Sequence, residues 1–125
     1  MRIAVLQMNS GSDVSNNLET VNSLLKKAAN DGCQMAVLPE NFALMSANNI
    51  EKIKISERLG KGPIQKFLSD ISKKLNIWIV AGSIPIRSTE EYEKRVYGAC
   101  LVYDSAGIQQ AVYRKIHLFN VNLDN

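Results

Sequence analysis

Residues 2 to 39 contain two short apolar segments separated by a long amphipathic one. The segment at 2 to 8 is apolar enough for a buried first strand, and QMAVLP at 34 to 39 is typical of a second. Between them, apolar residues recur at spacings of three and four and predict a helix: Leu18, Val21, Leu24, Leu25, Ala28 and Ala29. Asn16 with Glu19 resembles a capping pair at its start, and Asp31-Gly32 supplies its end. These elements form a βαβ unit, which requires parallel strands and a right-handed crossover.

The remaining sequence predicts one clear helix and three further strands. Over residues 42 to 62 the pattern weakens to a long loop with at most a short helix, and such loops are often functional. GKGP at 60 to 63 opens the next helix, which ends near Asn76. IWIVAGSIPI is typical of a strand buried on both sides, and RVYGACLVYD and IQQAVYRK predict an antiparallel hairpin around Gly107. The order βαβαβββ indicates an α/β fold with a mixed sheet.

Composition and charge are those of one ordinary domain. The 125 residues are 46% hydrophobic and 22% charged, which is sufficient for a single core. The formal net charge of +3 comes from short pairs such as Lys26-Lys27, which favour solvated helix faces over a nucleic-acid interface. Since no segment approaches a membrane span and the amino terminus lacks the features of a signal peptide, we expect a cytoplasmic protein with neither nucleic-acid nor membrane partners.

Cys33 and Cys100 are the only thiols, and their separation gives neither metal-ligand spacing nor a disulfide framework. Cys100 lies within an apolar strand, and Cys33 has no acid-base partner nearby in the sequence, so we interpret both as structural. GKG at 60 to 62 lacks the spacing and ending of a phosphate-binding loop. We therefore predict no cofactor and no metal site.

An acid directly follows the second strand, where AVLP leads into Glu40. Ligands of α/β proteins bind at the carboxyl ends of strands, so Glu40 is a candidate functional carboxylate. The ring of Pro39 fixes the backbone just before it, which suits a general base but is equally common in plain turns. Taken alone, Glu40 can equally be a solvated loop acid.

Polar and basic residues crowd the end of the last strand in YRKIHLF at 113 to 119. There Lys115 can stabilise an oxyanion or bind a substrate carboxylate. The alternatives are ordinary, because a lysine at a strand end usually extends to water and a single histidine such as His117 is more often structural.

AVLPENF followed by YRKIHLF resembles the carbon-nitrogen hydrolase (nitrilase) superfamily from the first strand to the last residue. ENFALM and KIHLF are most similar to its branch of small amidases, which includes deaminated glutathione amidase and omega-amidase. The resemblance implies that Glu40 is the general base and Lys115 the oxyanion-stabilising lysine of a Cys-Glu-Lys triad that hydrolyses small linear omega-amides. It also implies that the two charges are buried in one pocket and strongly coupled.

The nucleophilic cysteine of the family follows the lysine by a few tens of residues, whereas this chain ends ten residues after Lys115. We therefore expect residues 1–125 to be the amino-terminal part of a single carbon-nitrogen hydrolase domain, inactive alone. The family fold is a nitrilase-like αββα sandwich. The chain corresponds to about its first half, a mixed sheet with helices on one face.

A sheet with one uncovered face and free edges favours association. We expect a small-molecule amide as substrate, and either a homo-oligomer or association with the missing carboxyl-terminal part. Two functions stay open at this point: part of an amide hydrolase, or a non-catalytic remnant that serves as a binding or assembly module.

Overall fold

The computed structural model describes residues 1–46, 48–88 and 96–117, which form a five-stranded sheet and three helices. The strands are β1 (Ile3–Val5), β2 (Met35–Leu38), β3 (Trp78–Arg87), β4 (Val96–Tyr103) and β5 (Gln109–Arg114). The helices are α1 (Val14–Asn30), α2 (Asn49–Ile55) and α3 (Pro63–Leu75). The strands lie in the order β1-β2-β3-β4-β5, with β1, β2 and β3 parallel and β3, β4 and β5 antiparallel. The mixed α/β sheet predicted from the sequence is confirmed.

Both supersecondary predictions hold in the structure. Helix α1 connects the parallel strands β1 and β2, and its C-cap is Asp31, followed by Gly32 with φ of 75°. The hairpin of β4 and β5 turns at Gly107, where φ is 83° and glycine is favoured. Helix α3 begins at Pro63, and its C-cap is Asn76, which has left-handed φ. The short helix α2 adds one element to the predicted order.

The start of α1 differs from the prediction. Asp13, not Asn16, is the N-cap, and its side chain accepts a hydrogen bond of 2.9 Å from the backbone N–H of Asn16. The predicted capping residue already lies inside the first turn. Aspartate and asparagine are almost equally favoured as N-cap residues, so the sequence alone does not distinguish Asp13 from Asn16.

The core lies on one face of the sheet, between the strands and helices α1 and α3. Its helix residues include Val21, Leu25, Ala28, Ile64, Leu68 and Ile71, all buried. The strands contribute alternate residues from this face: Ala36, Leu38, Ile79, Ala81, Ala99 and Leu101. Because α1 and α3 pack into one cluster with them, the predicted placement of helices on one face is confirmed.

The opposite sheet face is apolar and open to solvent, and we call it the open face. It is formed by residues such as Ile3, Val5, Trp78 and Tyr113, whose exposed fractions are 46%, 82%, 38% and 60%. Two predictions were therefore wrong. β1 is a short, exposed edge strand rather than a buried strand over residues 2 to 8, and β3 is buried on one side only. Apolar composition predicts that a sheet face can be buried, but whether it is buried depends on the presence of another layer that packs against it.

Glu57 caps α3 from a distance, although it precedes the helix by several residues. Its carboxylate is buried and accepts hydrogen bonds from the backbone N–H groups of Ile64 and Gln65, at 2.6 and 3.1 Å, and from the Gln65 side chain at 3.0 Å. Gly62 permits this close approach, since a Cβ there would lie 2.2 Å from Glu57 Cδ. These bonds satisfy donors that every helix start leaves free.

The backbone of Glu57 also binds the outer half of β3. Its N–H donates to the carbonyl of Pro85 at 3.1 Å, and its carbonyl accepts from the N–H of Arg87 at 2.9 Å. Burial, together with the nearby Glu57 carboxylate, raises the pKa of Tyr103 to about 12. Glu57 thus joins the loop after α2, the start of α3 and the sheet.

Candidate active site

Glu40 lies just beyond the carboxyl end of β2, as predicted. The chain leaves β2 at Leu38 and turns at Asn41, a non-glycine residue with φ of 55°. The backbone N–H of Asn41 donates a hydrogen bond of 3.0 Å to Ser83 Oγ in β3. The turn that carries Glu40 is therefore fixed to the neighbouring strand by a side chain that the sequence analysis did not identify.

A bulge in β3 makes room for this turn. The pairing of β3 with β4 shifts register between Ala81 and Ile84, so Gly82 and Ser83 lie in the irregularity. A Cβ built at Gly82 would lie 1.9 Å from the carbonyl oxygen of Pro39. Only glycine permits this approach, because real Cβ atoms do not come so close to backbone atoms. In the sequence, the only sign of this bulge is the single glycine, Gly82, inside a segment that otherwise has the pattern of a strand.

Replacing Gly82 with alanine is expected to lower the free energy of unfolding by about 3 kcal/mol, because the new methyl group must push the Pro39 carbonyl away. Gly98→Ala is the matched control: Gly98 lies on the adjacent strand, and a Cβ there meets nothing nearer than Lys115 Cβ at 3.9 Å. Urea denaturation of both variants measures the difference. Equal losses in the two variants would contradict the steric argument.

Lys115 lies directly after β5, and the structure brings it to Glu40. Its backbone N–H donates to the carbonyl of Gly98 at 2.9 Å, which extends the β4–β5 pairing by one bond. Its Nζ lies 3.0 Å from Glu40 Oε1. The two residues predicted from separate motifs therefore form an ion pair.

The pair is more exposed than expected. The side chains of Lys115 and Glu40 retain 35% and 61% of their accessible surface, so the predicted burial in a shared pocket is wrong for this chain. An ion pair so open to water contributes at most about 1 kcal/mol to stability. The sheet therefore positions the two partners, and their mutual attraction adds little to the stability of the fold.

The ion pair borders a cavity of about 550 Å³ between the loop after β2, helix α2 and the strands β3 and β4. Its polar side chains are those of Glu40, Asn41, Asn49, Lys52, Ser83, Tyr97 and Lys115. Apolar residues of the loop, α2 and β3 line the rest, including Leu44, Met45, Ile53 and Pro85. Convergent charged groups beside an apolar wall are typical of a small-molecule site.

Neither cysteine lies in this cavity lining. Cys100 lies in β4 on the sheet face opposite the core, and burial raises the pKa of its thiol. A raised pKa disfavours the thiolate that a nucleophile needs. Cys33 packs against the core cluster between α1 and β2. Both positions agree with the structural roles predicted for these thiols.

The other residues of the YRKIHLF motif lie outside the pair. Arg114 stacks over the Tyr97 ring at 5.1 Å, whereas Tyr113 and His117 are exposed. The end of the motif, Leu118 and Phe119, lies outside the described residues. Within residues 1–46, 48–88 and 96–117, no group of three or more His, Cys, Asp or Glu side chains is arranged to hold a metal ion. In the same part of the chain, no helix has both the length and the apolar character needed to cross a membrane.

Comparison with known proteins connects this geometry to one family. The carbon-nitrogen hydrolase family model matches residues 2–125. The chain is 33% identical over 121 residues to deaminated glutathione amidase of Yersinia enterocolitica and 34% identical over 122 residues to omega-amidase NIT2 of Danio rerio. These alignments cover 97% and 98% of this chain but only 41% and 42% of the relatives.

Solved structures show the same fold. The Caenorhabditis elegans NitFhit protein superposes with a TM-score of 0.79 at 27% identity, over 97% of this chain and 29% of that one. An amidase from Nesterenkonia sp. superposes with a TM-score of 0.81 at 24% identity, over 97% of this chain and 44% of that one. From the extent of the family match and the shared fold, the chain belongs to the carbon-nitrogen hydrolase family.

Proposed function

We propose that this chain provides the general base, Glu40, and the oxyanion-binding cation, Lys115, of an amidase that acts on small linear omega-amides through a Cys-Glu-Lys triad. The observation that supports this most directly is the 3.0 Å contact between Lys115 Nζ and Glu40 Oε1 at the edge of the cavity. Two groups of opposite charge, held at the ends of strands beside an apolar wall, suit a reaction that needs both a base and a cation.

Each group has a distinct task in such a reaction. The Glu40 carboxylate accepts the proton of the nucleophilic thiol, and the thiolate attacks the amide carbon to form a tetrahedral oxyanion. The Lys115 ammonium group holds that negative charge. As the carbon-nitrogen bond breaks, Glu40 returns the proton to the departing nitrogen. Ammonia is released, and the acyl group remains bound to the cysteine as a thioester. Water then attacks the thioester, with Glu40 again moving the proton, and the acid is released.

We further propose that the nucleophile is supplied by polypeptide outside these 125 residues. Cys33 and Cys100 are both outside the cavity lining, and both are free thiols. Free thiols also fit the predicted cytoplasmic location. On this proposal, residues 1–125 alone bind an amide without hydrolysing it.

The open face suggests where that further polypeptide packs. The chain spans about two fifths of the length of its relatives, as the 41% and 42% coverages show. Its open face carries large apolar residues such as Val5 and Tyr113, with 82% and 60% exposed fractions, on a sheet whose other face is covered. We propose that polypeptide corresponding to the remaining length of the relatives covers this face, because contiguous exposed apolar surface is characteristic of an interface.

A chimera tests the proposed function. Residues 1–125 would replace the matched segment of Danio rerio omega-amidase NIT2, and ammonia release from α-ketoglutaramate would be measured for the chimera and for the 125-residue chain alone. We expect release by the chimera and none by the chain alone. Circular dichroism and a cooperative thermal transition establish that each protein is folded.

Two results would contradict the proposal. A folded chimera without turnover would favour the alternative, a non-catalytic binding or assembly module. Turnover by the chain alone that is lost on Cys33→Ser or Cys100→Ser would show that one of these thiols is the nucleophile.

A further inference from the structure

A groove lies between the first half of helix α3 and the β4–β5 hairpin, and we call it the α3 groove. Its volume is about 550 Å³, which is within the range of small-molecule sites. Four residues without polar side chains leave this room: Gly60, Gly62, Pro63 and Gly107. The α3 groove shares no lining residue with the cavity beside Glu40, so the proposed amidase reaction does not account for it.

Tyr103 presents an unpaired hydroxyl group to the α3 groove. The residue lines the groove and is only 4% exposed, yet within residues 1–46, 48–88 and 96–117 its side chain forms no hydrogen bond. In that part of the chain, no side-chain polar atom of a buried residue is both hidden from solvent and unpaired, so the hydroxyl of Tyr103 reaches solvent at the groove. Burial and the Glu57 carboxylate raise its pKa to about 12, so at neutral pH it keeps its proton and can donate. An acceptor that enters the groove would supply the missing hydrogen bond.

Gln109 carries a second free polar group at the α3 groove. It is half-buried and lines the groove, and its side chain makes no hydrogen bond to any residue that the structure describes. The other uncharged polar side chains of the lining, Gln65 and Ser69, already donate to backbone carbonyls at 2.8 and 2.6 Å. Tyr103 and Gln109 are therefore the uncharged groups that remain available to a ligand.

The charge of the α3 groove favours an anion. Among the described residues that line it, Lys61 and Lys66 are the charged ones and no acid is present. Lys66 is paired with Asp70 at 2.6 Å, whereas the side chain of Lys61 has no partner in the described ranges. The buried Glu57 carboxylate is bound by backbone N–H groups at the start of α3, which offsets its negative charge. A free cation beside two free polar groups suits a ligand with several acceptor oxygens.

We propose that the α3 groove binds a phosphate monoester, whose phosphate oxygens accept hydrogen bonds from Lys61, the Tyr103 hydroxyl and the Gln109 amide. A phosphate group offers three acceptor oxygens, which match three donors on separate elements, whereas a carboxylate offers two. The groove is much larger than a phosphate group, and Pro63 provides an apolar contact for the organic part of the ester. This site is independent of the proposed amidase activity, so the outcome for one does not decide the other.

Binding of phenyl phosphate to the 125-residue chain tests the proposal. Inorganic phosphate has the same charged group without the organic part, and phenol has the organic part without the charge. Dissociation constants come from ¹⁵N–¹H NMR titrations at constant ionic strength that follow the backbone amides of Gly62 and Gln109. We expect phenyl phosphate to bind at least tenfold more tightly than either of the other two probes. The proposal is overturned if no probe binds, or if inorganic phosphate or phenol binds as tightly as phenyl phosphate.

Tyr103→Phe removes the hydroxyl group and keeps the ring. It is expected to weaken phenyl phosphate binding about tenfold, as is typical of a lost hydrogen bond to a charged group. It should not lower the free energy of unfolding in urea, because the hydroxyl has no partner among the described residues. Tyr113→Phe is the matched control, since Tyr113 is 60% exposed on β5 and does not line the groove. Unchanged binding by Tyr103→Phe, or an equal loss in Tyr113→Phe, would overturn the proposal.

Two lysine variants separate a specific contact from general charge. Lys61→Gln is expected to weaken phenyl phosphate binding about tenfold. Lys26→Gln removes the same charge from an exposed position on α1 outside the groove, and it should change the dissociation constant by less than twofold because salt screens distant charges. Equal effects of the two substitutions would show that the net charge of the chain, rather than the groove, attracts the phosphate.

Discussion

Glu40→Gln is expected to reduce ammonia release by the chimera roughly 1,000-fold, as is common when a general base is lost. The glutamine side chain nearly matches the shape of the carboxylate but cannot accept the proton of the thiol. Lys115→Gln is expected to have a comparable effect, because the tetrahedral oxyanion loses its cation. Both variants should retain the fold, since the exposed Lys115–Glu40 pair contributes at most about 1 kcal/mol. Steady-state ammonia assays and urea denaturation of the same samples measure the two quantities.

Another exposed ion pair, on helix α3, provides the control. Lys66 Nζ lies 2.6 Å from Asp70 Oδ2 on the surface of α3, and neither residue lines the cavity. Asp70→Asn and Lys66→Gln should therefore leave ammonia release unchanged. Equal losses of activity in the two pairs would mean that charge removal disturbs the protein generally. Full activity of Glu40→Gln would rule Glu40 out as the general base.

Glu57→Ala is expected to lower the free energy of unfolding by about 4 kcal/mol, a large fraction of the stability of a domain of this size. The substitution removes the buried acceptor of the backbone N–H groups of Ile64 and Gln65 and one of the two acceptors of the Gln65 side-chain amide, which still donates to the Arg58 carbonyl. Each buried donor left without an acceptor costs about 1 to 3 kcal/mol. Urea denaturation followed by circular dichroism measures the loss.

Two further variants define the cause. Glu57→Gln keeps one acceptor oxygen, so its loss should lie between those of the unsubstituted chain and Glu57→Ala. Glu19→Ala removes an exposed carboxylate on α1 and should change stability by less than about 0.5 kcal/mol. If Glu57→Ala behaved like Glu19→Ala, the hydrogen bonds of Glu57 would contribute nothing to the fold.

Features that depend on neighbours in the sequence were predictable. The periodicity of α1, the proline at the start of α3, the left-handed Asn76 and the glycine turn of the hairpin each follow from local chemistry. The two candidate site residues were also identified, since each ends a strand and the ends of neighbouring elements meet at the cavity. Their catalytic roles stay a prediction.

Features that depend on contacts across the fold were missed. The hydrogen-bond acceptor for the backbone N–H groups at the start of α3 is the side chain of Glu57, which lies outside the helix. The turn at Asn41 is bound by Ser83, which lies on a different strand. The burial of β1 and β3 also does not follow from the sequence, because it depends on what covers the open face. Lys52, which lines the cavity, lay in a stretch with weak periodicity, where the sequence predicted only a loop with at most a short helix.

The contact between Glu40 and Lys115 joins residues 75 positions apart in the chain. Closing so long a loop costs more chain entropy than closing the short turn that joins the adjacent strands β4 and β5. Such distant contacts are expected to form late during folding, after the local ones have made the sheet. The ion pair is too weak to drive that closure. Its formation is therefore a consequence of strand pairing, and the cavity exists only once β3 and β4 have met the segments that follow β2 and β5.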